Sequence, residues 1–113
     1  MVTSGPAKRL TIYVDEIDRI HGKPVYEVIL DLLYKNGISG ASVFRGVAGY
    51  GGDGVVHRAK ILELSDNLPL KIEVLESSEK LDPLLPEILQ LVGKGLIEVS
   101  DTTIIKATGK KEN

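Results

Sequence analysis

Two short stretches of this chain alternate apolar and polar residues without a fault, and each is followed by a segment with helical spacing. In the first, Leu10, Ile12 and Val14 alternate with Arg9, Thr11 and Tyr13; in the second, Leu70, Ile72 and Val74 alternate with Lys71 and Glu73. A period of two sends one set of side chains to each face, so both stretches are strands with one face in a core. After the first, Pro24 stands as a first helical residue, Val25, Val28, Ile29, Leu32 and Leu33 recur at helical spacing, and Asn36-Gly37 stops the helix. After the second, Ser78 is the expected N-cap of a helix carrying Leu81, Leu84, Leu85, Ile88 and Val92. Pro83 and Pro86 disturb its first turns, and Gly93-Lys94-Gly95 ends it.

Further extended segments are expected over 41–46, 55–64 and 96–106, the last with a bulge near Ser100-Asp101. The order reads βαββαβ. Right-handed crossovers bring both helices to one face of a single antiparallel sheet, which is the α+β ferredoxin-like sandwich. A chain of 113 residues has room for one such domain, with an ordered core over 8–107 and flexible tails at 1–7 and 108–113. The other sheet face has no helix to cover it, yet alternation assigns it Tyr13, Phe44, Leu62 and Leu75. An apolar set on an uncovered face predicts a partner, and a second copy of the chain is the simplest one.

Five of the twelve glycines fall within ten residues, from Arg45 to Gly54. Such density marks either a mobile connection or a cradle of backbone N–H groups for an anion. The segment lacks the Gly-Lys-Ser/Thr ending of a P-loop, and an extended segment follows it, so no helix N-terminus is available to a phosphate. A phosphate would instead meet backbone N–H groups together with Arg45, Arg58 or Lys94.

Other chemistries find little footing. With no cysteine and only His21 and His57 as imidazoles, no metal site is predicted. The net charge of −2 carries no basic block outside the tail, so no nucleic-acid polymer is expected as a partner. Base stacking on a sheet needs aromatic residues on its central strands, where Tyr13 stands alone. Asp15, Glu16 and Asp18 read as a solvated loop, Asp82 and Glu87 as a helix face, and no strained turn supports a pairing of His57 with Ser39 or Ser42. A catalytic role is therefore not expected. No apolar run approaches the length of a membrane span and no charged-then-apolar leader is present, so the expected location is the cytoplasm.

The run Gly37-Ile38-Ser39-Gly40-Ala41-Ser42-Val43, then Gly46 and Gly49-Tyr50-Gly51, then Leu68-Pro69-Leu70-Lys71-Ile72-Glu73-Val74 resembles the corresponding run of the PII (GlnB-type) nitrogen signalling proteins. With Gly22-Lys23-Pro24-Val25-Tyr26, Arg45-Gly46 and Leu84-Leu85-Pro86-Glu87 added, the chain is similar to a small PII-like family long labelled only as a domain of unknown function. The similarity runs from about Leu10 to Lys106 and rests on the order and spacing of the motifs together.

The resemblance implies a homotrimer whose sheets meet around the threefold axis, with an adenine nucleotide (AMP, ADP or ATP) bound in clefts between subunits. It also implies a target protein that senses the loop, and a membrane transport protein is the class of target it indicates. The loop from Gly46 to Gly54 matches the signalling loop, and Gly93-Lys94-Gly95 matches a phosphate loop before the last strand. The expected nucleotide site is thus Arg45, Gly46, Gly49, Tyr50, Gly51, His57, Arg58, Gly93, Lys94 and Gly95. Arg45 and Arg58 would meet phosphate, and Tyr50 would cover the base or contact a target. The loop is much shorter than in PII proteins and has no counterpart of their modified tyrosine, so uridylylation is not implied. Of the basic residues that PII proteins place near the end of the last strand, only Lys106 is present. Two other families, one of them trimeric, share the topology. A divalent-metal-tolerance protein of the CutA type would need metal ligands, and an acyl-phosphate hydrolase would need Arg and Asn side by side, whereas Asn36 and Asn67 occupy ordinary turns.

Overall fold

The structure, a computed structural model, describes residues 4–52, 54–58 and 67–108. In chain order the strands are β1 (Gly5–Asp15), β2 (Arg19–Ile20), β3 (Lys23–Pro24), β4 (Ser42–Arg45), β5 (Ala48–Gly49), β6 (His57–Arg58), β7 (Pro69–Glu76) and β8 (Leu96–Ile104). The helices are α1 (Val25–Lys35), α2 (Ser78–Leu81) and α3 (Leu85–Leu91). Four strands form the main sheet in the order β4-β7-β1-β8, every neighbour antiparallel. With α1 between β1 and β4, and α2 and α3 between β7 and β8, this is the ferredoxin-like βαββαβ sandwich. Among the described residues, no helix is long and apolar enough to cross a membrane.

The alternating residues do what period two requires. Leu10, Ile12 and Val14 of β1 and Leu70, Ile72 and Val74 of β7 pack with Val25, Ile29 and Leu33 of α1 and with Leu81, Leu84 and Ile88 from the second helical region. At roughly 1.5–3 kcal/mol for each large apolar side chain taken from water, this cluster is the main source of stability. The end of α1 is fixed by a Schellman motif: the Gly37 N–H donates to the Tyr34 carbonyl and the Ile38 N–H to the Leu33 carbonyl, with Gly37 at φ 74°. Ile38 and Leu33 are both buried, which seals the turn.

Several boundaries differ from the sequence expectation. Pro24 is the capping residue before α1, with ψ 131°, because it still pairs with Arg19 in the β2–β3 ribbon. That ribbon turns at His21-Gly22, whose φ values of 50° and 80° are the geometry of a two-residue hairpin. Ser77, and not Ser78, precedes the second helix, and its side chain makes no capping bond. Pro83 converts the next turn into a 3-10 turn over Asp82–Leu84, so one expected helix becomes α2 and α3. β1 starts at Gly5 because residues 5–7 pair with residues 102–104 of β8. No bulge interrupts β8: Ser100 and Asp101 stay in register opposite Arg9 and Lys8, where polar residues find polar partners.

The largest correction concerns residues 55–64. Among the described residues this segment supplies no strand to the main sheet; only His57–Arg58 is extended, and it pairs with Ala48–Gly49 in a separate ribbon. Gly49 of this ribbon packs closely on Pro69 at the start of β7. Residues 59–66, including Leu62, lie outside the described residues.

One row of side chains crosses the uncovered face of the sheet, formed by Leu96, Tyr13, Lys71 and Phe44 from the four strands in turn. Tyr13 and Phe44 are 43% and 51% exposed, and Leu96 and Leu75 are also open. The Lys71 ammonium lies 4.9 Å from the centre of the Phe44 ring, a cation–π contact that leaves the apolar stem across the face.

Glu76, at the end of β7, has a fully buried side chain. Its carboxylate accepts the Ser39 N–H at 2.9 Å, the Ser39 hydroxyl at 3.1 Å and the Ser77 N–H at 2.9 Å. Burial alone pushes its pKa up, but these hydrogen bonds and the charge of Lys80 outweigh it, and the net direction is down. The carboxylate thus clamps the α1–β4 connection to the β7–α2 junction.

Candidate functional site

Three segments meet at one end of the sheet. They are the last residues of β1 (Tyr13, Val14 and Asp15), the β5–β6 ribbon with Tyr50, Gly51 and Gly52, and Gly93-Lys94-Gly95 before β8; with Pro69 and Leu96 they line a cleft of about 820 Å³. That volume is in the range of small-molecule sites, roughly 300–1,000 Å³.

Glycine is needed here for close approach. Gly95 has φ 148°, and a Cβ there would run into the Tyr13 carbonyl oxygen and reach 3.1 Å from Val92 Cγ1. The Lys94 turn can therefore lie against the end of β1 only because residue 95 has no side chain. Gly46 and Gly49 are tight for a different reason: a Cβ would come within 2.8 Å and 3.2 Å of Pro69 Cγ. Gly51 and Gly52 have open space where a Cβ would point and no left-handed φ.

Among the described residues, the lining holds one carboxylate, Asp15, one ammonium, Lys94, and the His57 imidazole. Lys94 Nζ lies 3.4 Å from Asp15 Oδ2. The Asp15 backbone is held separately, its N–H donating to Asp18 Oδ2 at 2.9 Å and its carbonyl accepting the Asp18 N–H at 3.1 Å. Two aromatic rings, Tyr13 and Tyr50, flank these groups, and Tyr50 is 75% exposed.

Of the residues expected at the site, Gly49, Tyr50, Gly51, His57, Gly93, Lys94 and Gly95 come together in this lining. Arg45, Gly46 and Arg58 do not belong to it. The Arg45 Nε lies 3.1 Å from both Glu16 carboxylate oxygens and its Nη2 lies 3.0 Å from Oε2, so Arg45 fastens the start of the glycine segment to the β1–β2 connection. The Gly46 N–H donates to the Pro69 carbonyl at 2.7 Å and extends the β4–β7 ladder. Arg58 is exposed on β6 opposite Ala48, and Lys106 is exposed beyond β8. Ser39 gives its hydroxyl to Glu76, away from any pairing with His57. Among the described residues, no three His, Asp or Glu side chains gather as a metal site would require.

Asp15 was legible only as part of a charged loop, and the fold makes it a wall of the cleft. Its signal in the sequence was its place at the end of an alternating strand, next to which the sheet order brings Pro69 and Lys94.

A family model covers residues 7–104, and it is that of DUF190, described as uncharacterized ACR. The chain belongs to the DUF190 family. The DUF190 chain is 39% identical over 101 residues to a UPF0166 protein of Methanocaldococcus jannaschii, covering 88% of this chain and 93% of that protein. It is 36% identical over 100 residues to a UPF0166 protein of Aquifex aeolicus, covering 87% and 92%. Among solved structures it is similar to CPII from Thiomonas intermedia K12, a nitrogen regulatory PII-like protein bound to ADP, AMP and bicarbonate, with TM-score 0.63 and 22% identity over 88% of this chain and 94% of that one. The same protein bound to ADP and bicarbonate gives TM-score 0.64 at 20% identity, covering 88% of each chain. The DUF190 chain therefore shares the PII-like fold.

Proposed function

We propose that this chain is a PII-like regulatory protein that binds an adenosine phosphate in the cleft between the Tyr50 turn and the Lys94 turn, and that it does so as a homotrimer. The observation that carries this reading is the Gly93-Lys94-Gly95 turn, which Gly95 allows to sit against β1 with Lys94 beside an open cleft. Backbone N–H groups of that turn and the Lys94 ammonium are donors suited to phosphate, and Tyr13 and Tyr50 offer faces to a base. The fold shared with CPII, whose structures hold ADP and AMP, supports the choice of ligand. Arg45 is assigned to the root of the turn through Glu16, while Arg58 is a second positive charge beside His57 on the ribbon. A target protein, in the class of membrane transport proteins, would sense residues 46–54, whose states the ligand favours by its difference in affinity for them.

Calorimetry tests the reading. ADP or AMP should bind about tenfold or more tightly than adenosine, since each hydrogen bond between charged partners contributes about 1.5–3 kcal/mol. Lys94→Gln should remove most of that preference without changing the melting temperature by more than about 2 °C, because its ammonium is mostly exposed. Equal affinity for adenosine, or no nucleotide bound at millimolar concentration, would contradict it.

The uncovered row of Leu96, Tyr13 and Phe44, with Leu75 nearby, is the surface proposed for assembly. Sedimentation at micromolar concentration should give a trimer. Phe44→Asp should dissociate it, since a buried unpaired carboxylate costs several kcal/mol; a wild-type monomer would remove the interface.

A further inference from the structure

We infer that Asp15 limits how much negative charge the cleft accepts, and so makes it selective for the less charged adenosine phosphates. The inference rests on the adenosine-phosphate reading and refines it. Among the described residues, Asp15 is the one carboxylate in the lining, and it pairs with Lys94, the one ammonium there. In the described lining the Asp15 carboxylate thus stands against a single ammonium, unlike a cleft built to collect polyphosphate.

The geometry makes the carboxylate hard to remove from the ligand's surroundings. The N–H and carbonyl of Asp15 are both tied to Asp18, and Asp15 stands in register with Pro69 at the base of the cleft. Its side chain is only 24% exposed, so it cannot turn freely into water, whereas that of Lys94 is 62% exposed. A phosphate arriving at the Lys94 turn competes with Asp15 for the same ammonium. Once Lys94 leans toward the phosphate, the carboxylate remains in the wall with less compensation. Each further phosphate then adds repulsion in a partly dry cleft, where charges interact more strongly than in water. The first phosphate gains from Lys94 and the turn N–H groups; the later ones meet an uncovered anion.

The consequence is an affinity order of AMP at or above ADP, and ADP above ATP, measured without divalent cations. Asp15→Asn keeps the backbone bonds to Asp18 and removes the charge. Its gain in affinity should be graded, smallest for AMP and about tenfold larger for ATP. Asp15→Ser should reproduce the grading, Asp15→Glu should keep the wild-type order, and 0.5 M salt should compress the differences. The measurement is calorimetry of the full chain with all three nucleotides in the presence of a chelator, with thermal melts to establish that each variant is folded. An equal change for all three, or a wild type that favours ATP, overturns the role of Asp15 while the nucleotide reading stands. If neither the wild type nor any variant binds AMP, ADP or ATP at millimolar concentration, both fall together.

Discussion

Gly95→Ala should lower the melting temperature by about 10 °C and abolish ligand binding in the cleft. A methyl group at residue 95 is opposed twice. It would occupy the space of the Tyr13 carbonyl oxygen, and φ 148° is a conformation that residues with a Cβ rarely adopt. Strain of this kind costs about 1–3 kcal/mol, and pushing β8 from β1 adds lost ladder bonds, so a loss of about 2–4 kcal/mol is expected. For a domain of this size, that corresponds to a drop of about 10 °C. Gly52→Ala is the control. Open space surrounds its Cβ position and its φ is not left-handed, so the change should stay within about 0.5 kcal/mol. Equal stability of the two variants, seen by thermal unfolding, would contradict the close packing of the Lys94 turn on β1.

Glu76→Gln should have the next largest effect, and it should depend on pH. One carboxylate oxygen takes both Ser39 donors and the other takes the Ser77 N–H. An amide turns one of those oxygens into a donor facing a donor, which costs about 1–3 kcal/mol in a buried site. The wild-type carboxylate has a folded pKa below its ordinary value of 4.5, so its contribution is fully present above pH 4.5. It is lost as pH falls through the lower folded value, where the carboxylate takes up a proton. The gap between wild type and Glu76→Gln, measured by urea unfolding, should therefore be constant from pH 7 to about pH 5 and narrow below about pH 4.5. A gap that widens in acid would mean that Glu76 is not held as the anion.

Much of the sandwich could be read from sequence because its signals are local. The alternation in β1 and β7 and the apolar spacing of α1 identified the core face, and Tyr13, Phe44 and Leu75 are open on the opposite one. The sequence predicts a strand over residues 55–64 because Val55 and Val56 and the apolar residues beyond them favour extension. Extension does not reveal which strand is the partner, and here β6 pairs with β5.

The glycine cluster hid three separate causes under one composition. Gly46 and Gly49 pack on Pro69, Gly54 takes φ 71°, and Gly51 and Gly52 face open space at the cleft. Arg45 resembled a phosphate ligand by its position in the chain, but its partner Glu16 is 29 residues away and could be found only from the fold. Asp15 and Lys94 are further apart still, and only the β1–β8 register joins them.

The most direct test of the nucleotide site follows backbone amide chemical shifts while ADP is added to the full chain. The predicted result is saturable change at Gly49 to Gly52, at His57 and at Gly93 to Gly95, with Glu76 and the Ser39 turn unmoved. Adenosine at the same concentration should shift the Tyr50 turn far more than the Lys94 turn. Shifts confined to other surfaces, or no saturable shift at millimolar ADP, would contradict a nucleotide site in this cleft.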